Sequence, residues 1–298
     1  MRPDRPNSIG LLGLGEVGRI LATDIHALTG GAIKAYDILF DDAQSAPSRA
    51  AVQLPGVVRC ESALELVTGC DLLISVVTAA RDLDAAQSVV AALDDGTWFL
   101  DLNSVAPTTK MAVADLIETA GGRYVEGAVM SPIEPQRSAS PILLGGPHAQ
   151  LFADVARDLG FTGARAFSSA IGPASATKMC RSVVVKGIES LLTESLLAAR
   201  HYGVEDDVLA SLRGLANNDD WEGFARYMIS RSLLHGARRA EEMREVANTV
   251  GDAGIEPLMS SACALRQDRA ASFAATPGDD QLIELLDSMR MDTDKIAR

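Results

Sequence analysis

The run Gly13-Leu14-Gly15-Glu16-Val17-Gly18 narrows the possible folds more than any other feature, because it joins an apolar stretch at residues 8–12 to a helix-like segment at residues 16–28. A strand that turns directly into a helix needs a tight bend, a bare stretch of backbone and close helix-to-strand packing. Glycines at these three spacings supply all of them. The first amides of the helix then face outward as an anion site, and a pyrophosphate is the ligand that such a turn fits. Gly13, Leu14, Gly15, Glu16, Val17 and Gly18 are therefore the expected cofactor-binding segment. Asp37, at the end of the next apolar run, is placed to accept hydrogen bonds from adenosine ribose hydroxyls. Residues 38–42 offer no arginine for a 2′-phosphate, so NAD is the expected cofactor and NADP is left open.

Further short apolar runs at residues 32–36, 71–77, 98–102 and 142–144 alternate with helical pattern, as in a buried parallel sheet. After Ser168 the strand signals stop. Gly172 and Pro173 then open a segment that can run as one helix to residue 202, about 45 Å long at helical rise, with Gly187 interrupting it. The reading is an α/β Rossmann-type N-terminal domain over residues 1–168, followed by an all-α C-terminal domain over residues 169–298. The latter would serve substrate binding and dimerisation. A long helix that is apolar on several faces buries them against a domain or a subunit, so a homodimer is expected.

The formal charge of -13 argues against a nucleic-acid surface, which needs clustered cations, and the chain has only five lysines. Cys60, Cys70, Cys180 and Cys263 lie far apart, without zinc-ligand spacing, and read as reduced core thiols, so no metal site is expected. The first eight residues lack an apolar signal region, and no stretch approaches a membrane-spanning length. A cytoplasmic protein acting on a small-molecule substrate, without nucleic acid or membrane, is expected.

Three segments in order carry a family resemblance: the glycine run, Glu126-Gly-Ala-Val-Met-Ser131-Pro132, and Gly172-Pro-Ala-Ser-Ala-Thr-Lys178. Together they resemble the β-hydroxyacid dehydrogenase family, relatives of 6-phosphogluconate dehydrogenase, over about residues 8 to 200. The resemblance implies an NAD(P)-dependent oxidoreductase that moves hydride between the nicotinamide and a small hydroxy acid or related alcohol. Its general acid and base would be Lys178, since a hydroxyl proton must leave as the carbinol carbon is oxidised. Ser131 and Ser182 are implied substrate ligands, with Ser182 standing where the family usually has Asn. Val185 replaces the glutamate that 6-phosphogluconate dehydrogenase uses, so oxidative decarboxylation by that route is not expected. Pro132 has no amide hydrogen for a carboxylate. Asp101-Leu-Asn-Ser104 resembles the family's loop near the nicotinamide, which implicates Ser104, and Val77 and Thr78 are implied at the cofactor edge. In the helical half, Arg239, in a run with His235 and Arg238, is a candidate for an anionic substrate group. Two other readings stand beside this one: an imine reductase-like enzyme, and a non-catalytic NAD-binding sensor or scaffold.

Overall fold

In the computed structural model, which describes residues 6–212, 220–273, 281–282 and 284–289, eight strands form a single sheet among the described residues. They are β1 (Ile9–Leu12), β2 (Ile33–Tyr36), β3 (Val57–Arg59), β4 (Leu72–Ser75), β5 (Trp98–Asp101), β6 (Arg123–Val129), β7 (Ile142–Gly145) and β8 (Ala164–Ser168), in spatial order 3-2-1-4-5-6-7-8. The central strands β1, β4 and β5 are buried along their whole length, which is why they read as unbroken apolar runs.

Alternate residues of these strands feed two cores. On one face Leu11, Ile74, Leu100 and Val125 pack with α1 (Glu16–Thr29), α2 (Ala46–Gln53) and α6 (Ala149–Asp158), through Leu21, Ile25, Ala50 and Phe152. On the other, Leu12, Leu73, Phe99 and Tyr124 pack with α3 (Ala63–Val67), α4 (Asp82–Gln87) and α5 (Pro107–Thr119), through Leu66, Ala86, Val113 and Ile117. Helices on both faces of a mostly parallel sheet make the doubly wound arrangement expected from the glycine run.

Two details depart from the sequence reading. The β6–β7 pair is antiparallel, because the link between them carries a single 3₁₀ turn, Arg137–Ala139, and no crossover helix. The segment containing Glu126, not among the apolar runs read as strands, is strand β6 through Val129. Edge strand β3 is too short, and β8 too exposed, to have given a strand pattern.

The chain divides into two compact units, Met1–Val183 and Val184–Arg298, so the division falls inside helix α7 (Pro173–Tyr202). The reason is local: Ala174 and Ser175 are buried against the first unit, and Glu126 of β6 accepts from the Gly172 and Ser175 amides at 2.7 and 2.6 Å.

The second unit holds the rest of α7 with α8 (Glu205–Ser211), α9 (Trp221–Asp252) and α10 (Leu258–Ala271). Helices α9 and α10 approach closely at Gly236, where a Cβ would lie 2.6 Å from the Gln267 carbonyl oxygen. Glu194 of α7 caps α10, accepting from the Met259 and Ser260 amides at 2.7 and 2.9 Å. Burial alone would raise its carboxyl, but the bonds from Ser260 and Met259 hold it below the ordinary range. No described helix is long and apolar enough to cross a membrane. Cys60 and Cys70 are buried, but Cys180 is exposed on α7 and Cys263 half-buried, so the core-thiol reading holds for the first two alone.

Candidate active site

One row of residues in register crosses the sheet near the carboxyl ends of its strands: Tyr36, Leu12, Ser75, Asp101, Glu126 and Gly145. The strand order reverses between β1 and β4, and ligands of open α/β sheets bind outside the strand ends at that point. Three members of the row, Ser75, Asp101 and Glu126, are polar and fully buried. Each holds a loop or helix at the sheet edge in place.

At the reversal point a cleft of about 400 Å³ is lined by Gly13, Gly15, Asp37, Leu39, Val77 and Thr78, together with Arg81 just before α4 and Asp84 in its first turn. The glycines meet different demands. Gly13 has φ +102°, and a Cβ there would press on the Val76 carbonyl oxygen at 2.6 Å. A Cβ at Gly18 would collide with the carbonyl of Gly13. A Cβ at Gly15 would meet nothing within 4 Å. Packing within the chain therefore does not require glycine at position 15, and the open space above it leaves room for a pyrophosphate to approach the backbone. The residues present fit a dinucleotide.

Asp37 stands where the sequence placed it, at the end of β2, and its carboxylate ties two turns together. One oxygen accepts from the Leu14 amide at 2.8 Å and the other from the Leu39 amide at 2.9 Å. A carboxylate has about four acceptor positions, so two remain for ribose hydroxyls. Glu16 is exposed and Val17 half-buried at the start of α1.

Beyond β5 the chain turns through Asn103 to Ser104. The Lys178 ammonium, on the second turn of α7, donates to Ser104 Oγ at 2.5 Å. These two candidates, 74 residues apart in sequence, are thus in contact. Ser182 is half-buried one turn further along α7, on the face that Lys178 occupies. Ser131 follows β6, and its hydroxyl donates to the Pro132 carbonyl at 2.9 Å. Arg239 is half-buried on α9 in the second unit, while the other candidates belong to the first.

The sequence reading assigned no role to the side chains beneath these residues. Lys110 is fully buried, paired with Asp101 Oδ1 at 2.7 Å and bonded to the Asp101 carbonyl at 3.0 Å. Tyr124 donates to Asp101 Oδ2 at 2.8 Å, and burial followed by the Asp101 charge pushes its phenol well above the ordinary value. Asp82, also buried, is pushed up to about 6 by burial first and by Asp101 second. For Lys110 a signal was present: with Val113, Ala114 and Ile117 it forms the buried face of α5, so its spacing is that of a core position.

A glycine turn at the switch point of a doubly wound sheet, with room over the turn for a pyrophosphate, defines a dinucleotide-binding domain of the Rossmann type. Residues 8–172 match the model described as the NAD binding domain of 6-phosphogluconate dehydrogenase, and the chain belongs to that family. Residues 199–270 match a second model, described as Domain of unknown function (DUF1932). Among solved structures, a conserved hypothetical protein from Sinorhizobium meliloti 1021 is 33% identical, with 96% of each chain covered and a TM-score of 0.57. Glyoxylate/succinic semialdehyde reductase 1 of Arabidopsis thaliana is 23% identical over 215 residues, which are 70% of this chain and 71% of the relative. A Streptomyces aurantiacus imine reductase shares the fold, at 18% identity and a TM-score of 0.69, with 95% of this chain and 99% of that one covered.

Proposed function

We propose that this protein is an NAD(P)-dependent dehydrogenase or reductase acting on CH–OH groups, which interconverts a small hydroxy acid or related alcohol with its carbonyl compound. The observation that carries this reading is the contact between Lys178 Nζ and Ser104 Oγ, just past the end of β5 and within the first compact unit. The bound cofactor supplies or takes up the hydride. Lys178 Nζ donates a proton to the substrate oxygen in the reducing direction, and as a neutral amine it accepts that proton in the other. The Ser104 hydroxyl holds the amine through their mutual hydrogen bond. Ser131 and Ser182 orient the substrate and Arg239 meets an anionic group on it. Asp37 meets the adenosine ribose and favours NAD over NADP through its fixed negative charge. In this reading residues 1–168 form the cofactor domain, residues 169–298 form a substrate and dimerisation domain, and the protein works as a cytoplasmic homodimer.

The named reductase of Arabidopsis thaliana supports carboxylate-bearing aldehydes as first substrates to assay. A second reading, imine reduction, is favoured by Pro132, which brings no amide hydrogen to the segment after β6, and by the shared fold of the imine reductase. The test is NADH oxidation by the full chain with glyoxylate, succinic semialdehyde and a cyclic imine. Lys178→Met is expected to keep NADH binding and to lose turnover of the aldehydes by about a hundredfold or more, the scale of general acid–base catalysis. Near-wild-type turnover by that variant removes Lys178 from the mechanism. Turnover of the imine alone favours the second reading, and NADH binding with no turnover of any of them leaves a non-catalytic NAD-binding protein.

A further inference from the structure

The side chain of Asn103 is 4% exposed, yet it reaches three separate parts of the site. Its Oδ1 accepts from the Val77 amide at 2.7 Å, which fixes the loop that follows β4 and lines the dinucleotide cleft. Its Nδ2 donates to Asp82 Oδ1 at 2.7 Å, at the start of α4, and to Ser75 Oγ at 2.8 Å, in the polar row of the sheet. Its own amide donates to Asp101 Oδ1 at 2.9 Å, the oxygen that also pairs with Lys110. The next residue is Ser104, the acceptor for Lys178.

A side-chain amide suits this position and its close relatives do not. It offers one acceptor toward a backbone N–H and two donors toward a carboxylate and a hydroxyl. Aspartate would keep the acceptor but turn a second negative group toward Asp82. Serine would be too short to span the three partners.

We propose that Asn103 is the positioning residue of this site, joining the cleft wall at Val77 to the Ser104–Lys178 pair so that cofactor seat and proton donor are set by one buried side chain. The proposal rests on the role given above to Lys178, and cofactor binding alone keeps the two separately testable. NADH affinity is to be measured on the full chain for wild type, Asn103→Ala, Asn103→Asp and Ser75→Ala, well below each variant's unfolding temperature. Loss of a buried hydrogen-bonding hub predicts about tenfold weaker NADH binding for Asn103→Ala at every pH.

For Asn103→Asp the charged groups facing the new carboxylate are Asp82 on α4, Asp101 on β5 and Lys110 on α5, with the Tyr124 phenol on β6 behind Asp101. Two acids outnumber the one base there. Binding is therefore expected to be weakest at about pH 8 and to recover toward wild type near pH 5, as a shared proton restores a donor toward Asp82. A residue that only stabilised the fold would lower the unfolding temperature and leave both affinity and pH profile unchanged. Should the Asn103 variants fail to fold, Ser75→Ala carries the test, with an expected loss of about two- to fivefold from one missing partner. NADH affinities within twofold of wild type in the folded variants, with an unaltered pH profile, overturn the proposal. Failure of the wild-type protein to bind NADH overturns it together with the cofactor assignment, whereas normal binding with a fully active Lys178→Met overturns the catalytic reading and the proton-donor half of the proposal, and the NADH affinities then decide the cofactor-seat half.

Discussion

The two sides of the cofactor edge are built on different physics. At the ends of β1 and β2 the site is backbone: a glycine at φ +102°, a space kept open over Gly15, and amides steadied by Asp37. At the ends of β4 and β5 it is side chain: Ser75, Asp82, Asp101, Asn103 and Lys110, all buried and bonded to one another. At Gly13 and Gly18 the first region tolerates almost no change of shape, because a Cβ there meets a backbone carbonyl. The second is sensitive to charge and hydrogen-bond complement, because each buried polar group depends on its partner to offset desolvation. Steric and electrostatic perturbations should therefore separate the two.

The largest effect is expected at the steric side. Gly18→Val places a branched side chain against the Gly13 carbonyl and the Val76 side chain, and overpacking there should weaken NADH binding by about a hundredfold or more. Isothermal titration with NADH measures it. Binding within threefold of wild type would show that the turn can yield, and would break the comparison.

An intermediate effect is expected from Asp82→Asn on the electrostatic side. The Asp82 carboxyl titrates at about 6 in the folded chain against an ordinary 3.8, so the native state binds its proton more tightly than the unfolded chain does. The stability linked to that proton is complete below the ordinary value and is lost as pH rises through about 6. Asparagine keeps an acceptor for Asn103 Nδ2 and carries no charge. The variant should be more stable than wild type by about 1–3 kcal/mol at about pH 8, with the difference vanishing near pH 4. Urea unfolding at both pH values checks this, and a pH-independent difference would contradict the assignment.

The smallest effect is expected from Asp37→Ala. It removes an acceptor for the amides of buried Leu14 and exposed Leu39, and the charge proposed to favour NAD. NADH binding should fall by about three- to tenfold and NADPH binding by less. Equal losses for the two cofactors would sharpen the comparison by leaving Asp37 a purely local tie between turns.

The same division explains what could be read from the chain in advance. The glycine turn, the first strands and helix α1 were legible because a few contiguous residues decide them, and helix α7 was legible because Gly172, Pro173 and thirty residues of helical pattern announce it. Lys178 and Ser104 were each singled out by resemblance, but nothing in sequence order indicated that they touch. Asn103 and Asp82 passed unnoticed because an asparagine before a loop and an aspartate opening a short helix look like ordinary caps. Lys110 did carry a signal, since its spacing on α5 is that of the core.

What the sequence determined by itself was the dinucleotide turn and the succession of strands and helices, since steric limits on φ, ψ and side-chain periodicity act between near neighbours. Tertiary structure alone decided which polar residues share the row across β4, β5 and β6, and that Glu126 would anchor the helix bearing Lys178. Register between strands far apart in the chain brings those groups together. Their charges and hydrogen bonds acquire meaning only when burial has removed the water that would otherwise satisfy them.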